Sequence, residues 1–155
     1  MNLKNTIAAI LVCGLASCID SGLYEKVVFM PEGEWGYSNQ PTFDFQIKDT
    51  ASSYQVYFLV RHTDAYAFNN IWISLISKLP GDSVARSSRF DIRLANEKGW
   101  LGSGMDDIMN HRILLYPEPV KFAKTGNYQV SIAQDMRTDP LKHVLNVGLR
   151  LEKIR

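Results

Sequence analysis

Residues 43–48 read FDFQIK, a stretch in which apolar and polar side chains alternate. Because successive side chains of a β-strand point to opposite faces, this pattern predicts a strand with one buried face. The alternation recurs at residues 90–94 (FDIRL), 128–133 (YQVSIA) and 147–152 (VGLRLE). A period of two therefore dominates the chain, which indicates an all-β protein.

Two further stretches, residues 54–60 (YQVYFLV) and 71–76 (IWISLI), are apolar on both faces, as is typical of central strands. Weaker strand patterns lie at residues 24–30 and 112–116, and turns rich in Pro, Gly, Asn and Asp separate most of the segments. Together these segments predict about eight strands. We therefore predict a single antiparallel β-sandwich, jelly-roll-like, over residues 24–155.

The composition excludes several classes of protein. Of the 155 residues, 46% are apolar and 21% are charged, which is typical of a globular domain and not of a disordered chain. The 17 Lys and Arg nearly balance the 16 Asp and Glu, so no basic surface for nucleic acid is expected. Two cysteines are too few for a disulfide scaffold or a four-thiolate metal site.

The N-terminus has the parts of a secretory signal peptide over residues 1–17: a start with Lys4, an apolar stretch and two small residues. As a helix, the apolar stretch is about 14 Å long and cannot cross a hydrocarbon core of about 30 Å. The motif LASC, which ends at Cys18, looks like a bacterial lipobox. We expect fatty acyl groups such as palmitate on Cys18 and a short tether over residues 18–23, which would hold the domain at the membrane.

No motif of an enzyme, metal site or cofactor site stands out. The glycines of residues 99–104 (GWLGSG) lack the order of a phosphate loop. His62, His111 and His143 lack the spacing of zinc ligands, although His62 and Asp64 could share one face of a strand. There is no Gly-x-Ser-x-Gly motif, and the candidate acids for hydrolysis lie in predicted loops. The sequence predicts no catalytic residue, no metal, no cofactor and no enzyme.

The aromatic residues are the more informative feature. Five of them lie in predicted loops: Trp35, Tyr37, Tyr66, Phe68 and Trp100. Aromatic side chains in loops can stack on sugar rings or anchor a protein partner. We predict that these five are exposed and form contacts with a partner. Two functions fit them: a non-catalytic assembly component of the cell envelope or, alternatively, a carbohydrate-binding module on a lipid tether.

Three segments together resemble the GldH family of gliding-motility lipoproteins. They are residues 61–73 (RHTDAYAFNNIWI), 94–104 (LANEKGWLGSG) and 125–150, and the lipobox and Trp35 add to the likeness. Ala123 stands where the family pattern has proline, a departure that concerns only the conformation of a loop.

The resemblance implies a lipoprotein of the cell envelope that is associated with the gliding apparatus and, through it, with a protein secretion machine. Its partners would be the membrane and envelope proteins, and it implies no reaction. The sequence itself shows no site for a small molecule, so the small-molecule ligand stays unknown. We expect the lipoprotein at the outer membrane. We expect it to face the periplasm because surface-exported lipoproteins resembling this class often carry an acidic run after the cysteine, and residues 19–21 hold one acid. Gliding by this organism does not follow, since such proteins also occur in relatives that do not glide.

Overall fold

The computed structural model describes residues 22–154. Thirteen strands form most of this region, and the only helical element in it is a 3-10 turn at Pro31–Gly33. The strands are β1 (Gly22–Phe29), β2 (Glu34–Trp35), β3 (Thr42–Ile47), β4 (Ser53–Thr63), β5 (Asn70–Lys78), β6 (Arg86–Arg93), β7 (Ala95–Asn96), β8 (Gly99–Trp100), β9 (Ser103–Met105), β10 (Ile108–Leu114), β11 (Gly126–Gln134), β12 (Leu141–Lys142) and β13 (Val144–Ile154). Within these residues, no helix is long and apolar enough to cross a membrane.

The strands form two main antiparallel sheets. The five-stranded sheet has the order β1-β13-β4-β10-β9, and the four-stranded sheet has the order β3-β11-β5-β6. Two short ribbons, β2 with β12 and β7 with β8, add to them. β4 and β5 are internal strands, which confirms the prediction made from residues 54–60 and 71–76.

The eight longer strands pair as in a jelly roll. Counted along the chain, the first pairs with the eighth (β1 with β13), the second with the seventh (β3 with β11), the third with the sixth (β4 with β10) and the fourth with the fifth (β5 with β6). This is the pairing of one long hairpin rolled into two sheets. The predicted jelly-roll-like antiparallel sandwich is confirmed.

The core lies between the two sheets and follows from the alternation in the sequence. In β3 the three apolar side chains at alternate positions are buried, and the polar ones between them are more exposed. In β4 every second side chain from Tyr54 to His62 is buried. Aromatic rings join the sheets: the centroid of Phe45 on β3 lies 5.4 Å from that of Tyr24 on β1. Burial of these apolar side chains provides most of the driving force for folding.

The two ends of the sandwich carry different connections, because successive long strands run in opposite directions. We call the end at which β1 begins, with Gly22, the entry end. The entry end carries the connections 48–52, 79–85 and 115–125. The opposite end, called the distal end, carries the connections 30–41, 64–69, 94–107 and 135–143.

Candidate functional site

All five predicted partner contacts lie at the distal end. They occur in three of its four connections: Trp35 and Tyr37 in the first, Tyr66 and Phe68 in the second, and Trp100 in the third. The sequence did not show this grouping, because it depends on the direction of each strand. The fold therefore brings the predicted residues to one end, opposite the point where the N-terminal segment joins the domain.

Backbone hydrogen bonds tie the distal connections to one another. The N–H of Thr63 donates to the carbonyl of His143 at 3.0 Å, and the N–H of Asp64 donates to the carbonyl of Asp107 at 2.7 Å. The first bond links the end of β4 to the fourth connection, and the second bond links the second connection to the third. The distal end is thus a joined surface and not a set of separate loops.

Trp35 is fully buried, so the prediction that it is an exposed loop residue is wrong. The cause is the short ribbon in which Trp35 on β2 pairs with Leu141 on β12. The indole N–H donates to the carbonyl of Asn39 at 2.7 Å, which satisfies its polar atom inside the protein. Trp35 anchors the first connection to the core and supports the surface from below.

Tyr37 remains at the surface, with 43% of its area exposed. Its hydroxyl donates to the carbonyl of Met136 at 2.6 Å, and its N–H donates to the carboxylate of Asp139 at 2.8 Å. Both bonds reach the fourth distal connection. Tyr37 therefore has a fixed position and still keeps part of its side chain at the surface.

Tyr66, Phe68 and Trp100 belong to one cluster with a histidine. The ring centroid of His62 lies 4.5 Å from that of Trp100 and 5.2 Å from that of Tyr66, and Phe68 lies 5.8 Å from Tyr66. Tyr66 is only 4% exposed and its hydroxyl donates to the carbonyl of Asn70 at 3.0 Å, so its predicted exposure is also wrong. Trp100 and Phe68 are half-buried and keep part of each ring at the surface.

A buried histidine pair lies under this cluster. His62 on β4 and His111 on β10 face each other, with their Nε2 atoms 2.9 Å apart. His62 Nδ1 lies 2.7 Å from the carbonyl of Thr63, which can only accept, so Nδ1 carries the proton and Nε2 accepts from His111. Sequence reasoning missed this contact, because nothing local indicates that β4 and β10 are neighbours.

Burial keeps both imidazoles neutral. Loss of solvation lowers the pKa of His62, although the hydrogen bond to the carbonyl of Thr63 partly opposes the shift. Burial, together with repulsion from a charged His62, lowers the pKa of His111 to about 4. If both rings were charged, the Nε2–H of one would face the Nε2–H of the other and the hydrogen bond between them would be lost. The contact therefore depends on at least one ring staying uncharged.

The histidine pair does not form a metal site with the nearby acid. Both ring nitrogens of His62 make hydrogen bonds, one to the carbonyl of Thr63 and one to His111. Neither nitrogen is therefore available to bind an ion together with Asp64. In the part of the chain that the structure describes, no group of three or more His, Cys, Asp or Glu side chains could hold a metal ion.

The glycine cluster at residues 99–104 serves close packing. A Cβ at Gly102 would lie 2.3 Å from the carbonyl oxygen of Asn110 and 2.9 Å from the ring of His111. A Cβ at Gly104 would lie 2.7 Å from the carbonyl oxygen of Ile108. These glycines let β9 and the residues before it press against β10. They thereby fix the segment that carries the surface residues beside Trp100.

Exposed apolar side chains extend the distal surface beyond the predicted aromatics. Met105 is 80% exposed and Leu101 is 52% exposed, and both lie in the third connection. Phe29, at the distal end of β1, is 74% exposed. We call Phe29, Tyr37, Leu101 and Met105 the distal apolar set. In the described region, other exposed apolar side chains lie at the entry end, among them Val84. The distal apolar set is distinguished by its two aromatic rings and by its most exposed member, Met105, which suit a protein contact surface.

Comparison with known proteins identifies the family. The family model described as "GldH lipoprotein" matches residues 22–151. The chain belongs to the GldH lipoprotein family. It is 28% identical over 146 residues to "Gliding motility lipoprotein GldH homolog" of Christiangramia forsetii, with 89% of this chain and 88% of the relative covered. It is 28% identical over 165 aligned positions to "Gliding motility lipoprotein GldH" of Flavobacterium johnsoniae, with 99% of each chain covered.

The GldH match coincides with the jelly roll. It begins at the first residue of β1 and ends within β13, so all four distal connections lie inside it. The resemblance noted in the sequence is thus confirmed. Cys18 lies outside both the family match and the described residues, and the alignment with the Flavobacterium johnsoniae relative runs through the segment that contains it.

Proposed function

We propose that this chain is a lipid-anchored lipoprotein that acts as a non-catalytic assembly component of a gliding-motility apparatus and its associated protein secretion machinery. One observation carries the proposal: the fold collects a partly exposed aromatic and apolar surface at the end opposite the entry end. The names of the two relatives, both gliding-motility lipoproteins, support the context.

The proposed anchor is Cys18, which would carry palmitate or similar acyl chains after removal of residues 1–17. The LASC motif supports it, as does the family description as a lipoprotein. Two or more acyl chains hold a protein on a bilayer almost irreversibly, since each buried methylene contributes about 0.8 kcal/mol. We place the anchor in the outer membrane with the domain facing the periplasm.

The geometry separates anchoring from recognition. Gly22 begins β1 only four residues after Cys18, so the entry end would lie next to the bilayer. β1 has eight residues, or about 25 Å of strand, and Phe29 ends it at the distal end. The distal apolar set would therefore face away from the membrane, toward envelope proteins. Met105 suits such a contact because the methionine side chain adapts to irregular surfaces.

The histidine pair supports a non-catalytic role. Within the part of the chain that the structure describes, His62 bonds a backbone carbonyl and His111 and nothing else, and both rings are buried beneath Trp100 and Tyr66. A general base needs access to a substrate proton and a pKa near the working pH. Here burial and a lowered pKa suit a structural contact between two strands of the sheet.

Site-specific crosslinking tests the proposal. A photoreactive amino acid at Leu101 or Met105, in the full chain in its own membranes, should capture envelope proteins of the gliding and secretion machinery. The matched control is Val84, which is 72% exposed but lies at the entry end. Capture of glycan alone from the distal positions would instead favour the carbohydrate-binding function, and equal capture from Val84 would count against a distal contact surface.

A further inference from the structure

A cavity of about 420 Å³ lies at the entry end, between the two sheets. It is not part of the distal surface. Leu75 and Val130 line it from the four-stranded sheet, and Leu149 and Leu151 line it from the five-stranded sheet. These four side chains are almost completely buried. The sandwich is therefore incompletely filled at the end that would lie against the bilayer.

The segment 115–125 covers one side of this cavity. It is held at two places along β4: the N–H of Leu115 donates to the carbonyl of Val56 at 2.9 Å, and the N–H of Val120 donates to the carbonyl of Tyr54 at 2.8 Å. Phe122 packs inward, with its ring centroid 5.3 Å from that of Tyr54. The segment 115–125 is thus fixed to β4, so the shape of the cavity does not depend on a bound ligand.

The lining changes from apolar to basic toward the surface. Its exposed members are Arg86, Ser88, Lys121 and Ala123, whereas its deep members are aliphatic and aromatic. Two cations thus lie at the mouth, and among the described residues 22–154 no Asp or Glu lines the cavity. Asp82 contacts Arg86 only weakly, at 3.9 Å, and is not part of the lining. The mouth is complementary to an anion.

We propose that this cavity binds one long acyl chain with an anionic head, the chain lying between the sheets and the head at Arg86 and Lys121. Ligand pockets measure about 300–1,000 Å³ and are mostly apolar with a few placed polar groups, and this cavity is at the small end of that range. That size fits one chain. A sugar or nucleotide needs more buried hydrogen-bonding groups than this lining offers.

Two sources supply this chemistry: a free fatty acid and an acyl chain of an anionic phospholipid. Because the cavity lies at the entry end, we favour the bilayer as the source of the acyl chain. This choice of source rests on the proposed anchor at Cys18. The cavity itself does not depend on that anchor. A Cys18→Ser variant should leave the membrane and still bind, which separates failure of the anchor from failure of the binding site.

The test uses the full chain in washed membranes and palmitate that carries a photoreactive diazirine in its chain. Labelling should be saturable, should be competed by excess palmitate and should map to the segment 115–125 and to Leu149. Leu75→Trp, which fills the cavity, should reduce labelling about tenfold or more, while Val84→Trp at the same end should not. Non-saturable labelling, or labelling unchanged by Leu75→Trp in a folded protein, would overturn the proposal.

A second variant tests the head group without disturbing the core. Arg86→Glu with Lys121→Glu changes only exposed side chains and should weaken palmitate binding about threefold to tenfold, while binding of the neutral hexadecanol analogue stays unchanged. Lys98→Glu, exposed at the distal end, is the matched control. Phosphatidylglycerol with a diazirine acyl chain distinguishes the two sources. If this lipid labels the protein, the bound acyl chain comes from membrane lipid; if only the palmitate probe labels it, the ligand is free fatty acid. Labelling by neither probe contradicts the proposal.

Discussion

The buried histidine pair predicts how the stability of the fold depends on pH. His62 and His111 are neutral in the folded protein, and their pKa values lie below the ordinary value of 6.5. In the unfolded chain both rings take up protons as the pH falls through about 6.5. The unfolded state then binds more protons than the folded state. Stability is therefore fully present above pH 6.5 and is lost as the pH falls toward about 4.

The size of the effect follows from the shift of His111. Its pKa falls from 6.5 to about 4, and one pKa unit corresponds to about 1.4 kcal/mol. The free energy of unfolding should decrease by up to about 3 kcal/mol over this range, because the ring is 6% exposed and little water screens it. That is a large part of the stability of a typical domain, about 5–15 kcal/mol.

Urea unfolding between pH 4 and pH 7.5, followed by tryptophan fluorescence, measures this dependence. The double variant His62→Phe with His111→Leu replaces both rings with apolar side chains and should flatten the curve between pH 6.5 and 4. The difference between the two curves isolates the contribution of the histidine pair. His143→Asn, at an exposed position with positive φ, should keep the wild-type curve. Parallel curves for the wild type and the double variant would refute the reasoning.

Three further predictions test the packing and the anchor. Gly102→Ala should destabilise the fold by about 1–3 kcal/mol in urea unfolding, because its Cβ would lie 2.3 Å from the carbonyl of Asn110, and an unchanged midpoint would contradict that contact. Trp35→Ala should cost about 3–5 kcal/mol, measured in the same way, because it empties a fully buried site; a loss below about 1 kcal/mol would place Trp35 outside the core. Cys18→Ser should release the protein from membranes in a sedimentation assay, and retention after a high-salt wash would contradict the proposed anchor.

The fold could be predicted from the sequence because its long strands each carry a complete local pattern. Residues 43–48 show three repeats of the two-residue period, and β4 and β5 show the apolar runs of internal strands. The short strands β2 and β12 contain two residues each and hold no period. Their pairing depends on residues about one hundred positions apart, so only the folded chain reveals it.

The candidate site was predicted only in part for the same reason. Trp35 and Tyr66 lie in connections, where the sequence predicts exposure, yet pairing and ring contacts turn both inward. Tyr37, Phe68 and Trp100 keep exposed area, and their role as partner contacts stays a prediction. Leu101 and Met105 were missed because an aliphatic side chain in a glycine-rich stretch carries no signal of exposure.

We propose that the distal end contacts the envelope machinery while the entry end is anchored. The most direct test of this proposal is a variant with Leu101→Asp and Met105→Asp, compared with Val84→Asp at the entry end. The measurement is the amount of gliding and secretion components that co-purify with each protein from detergent-solubilised membranes. The amount of co-purifying components should fall about tenfold for the distal variant, while its membrane attachment and the Val84→Asp control stay unchanged. Undiminished co-purification with the distal variant would contradict the proposal.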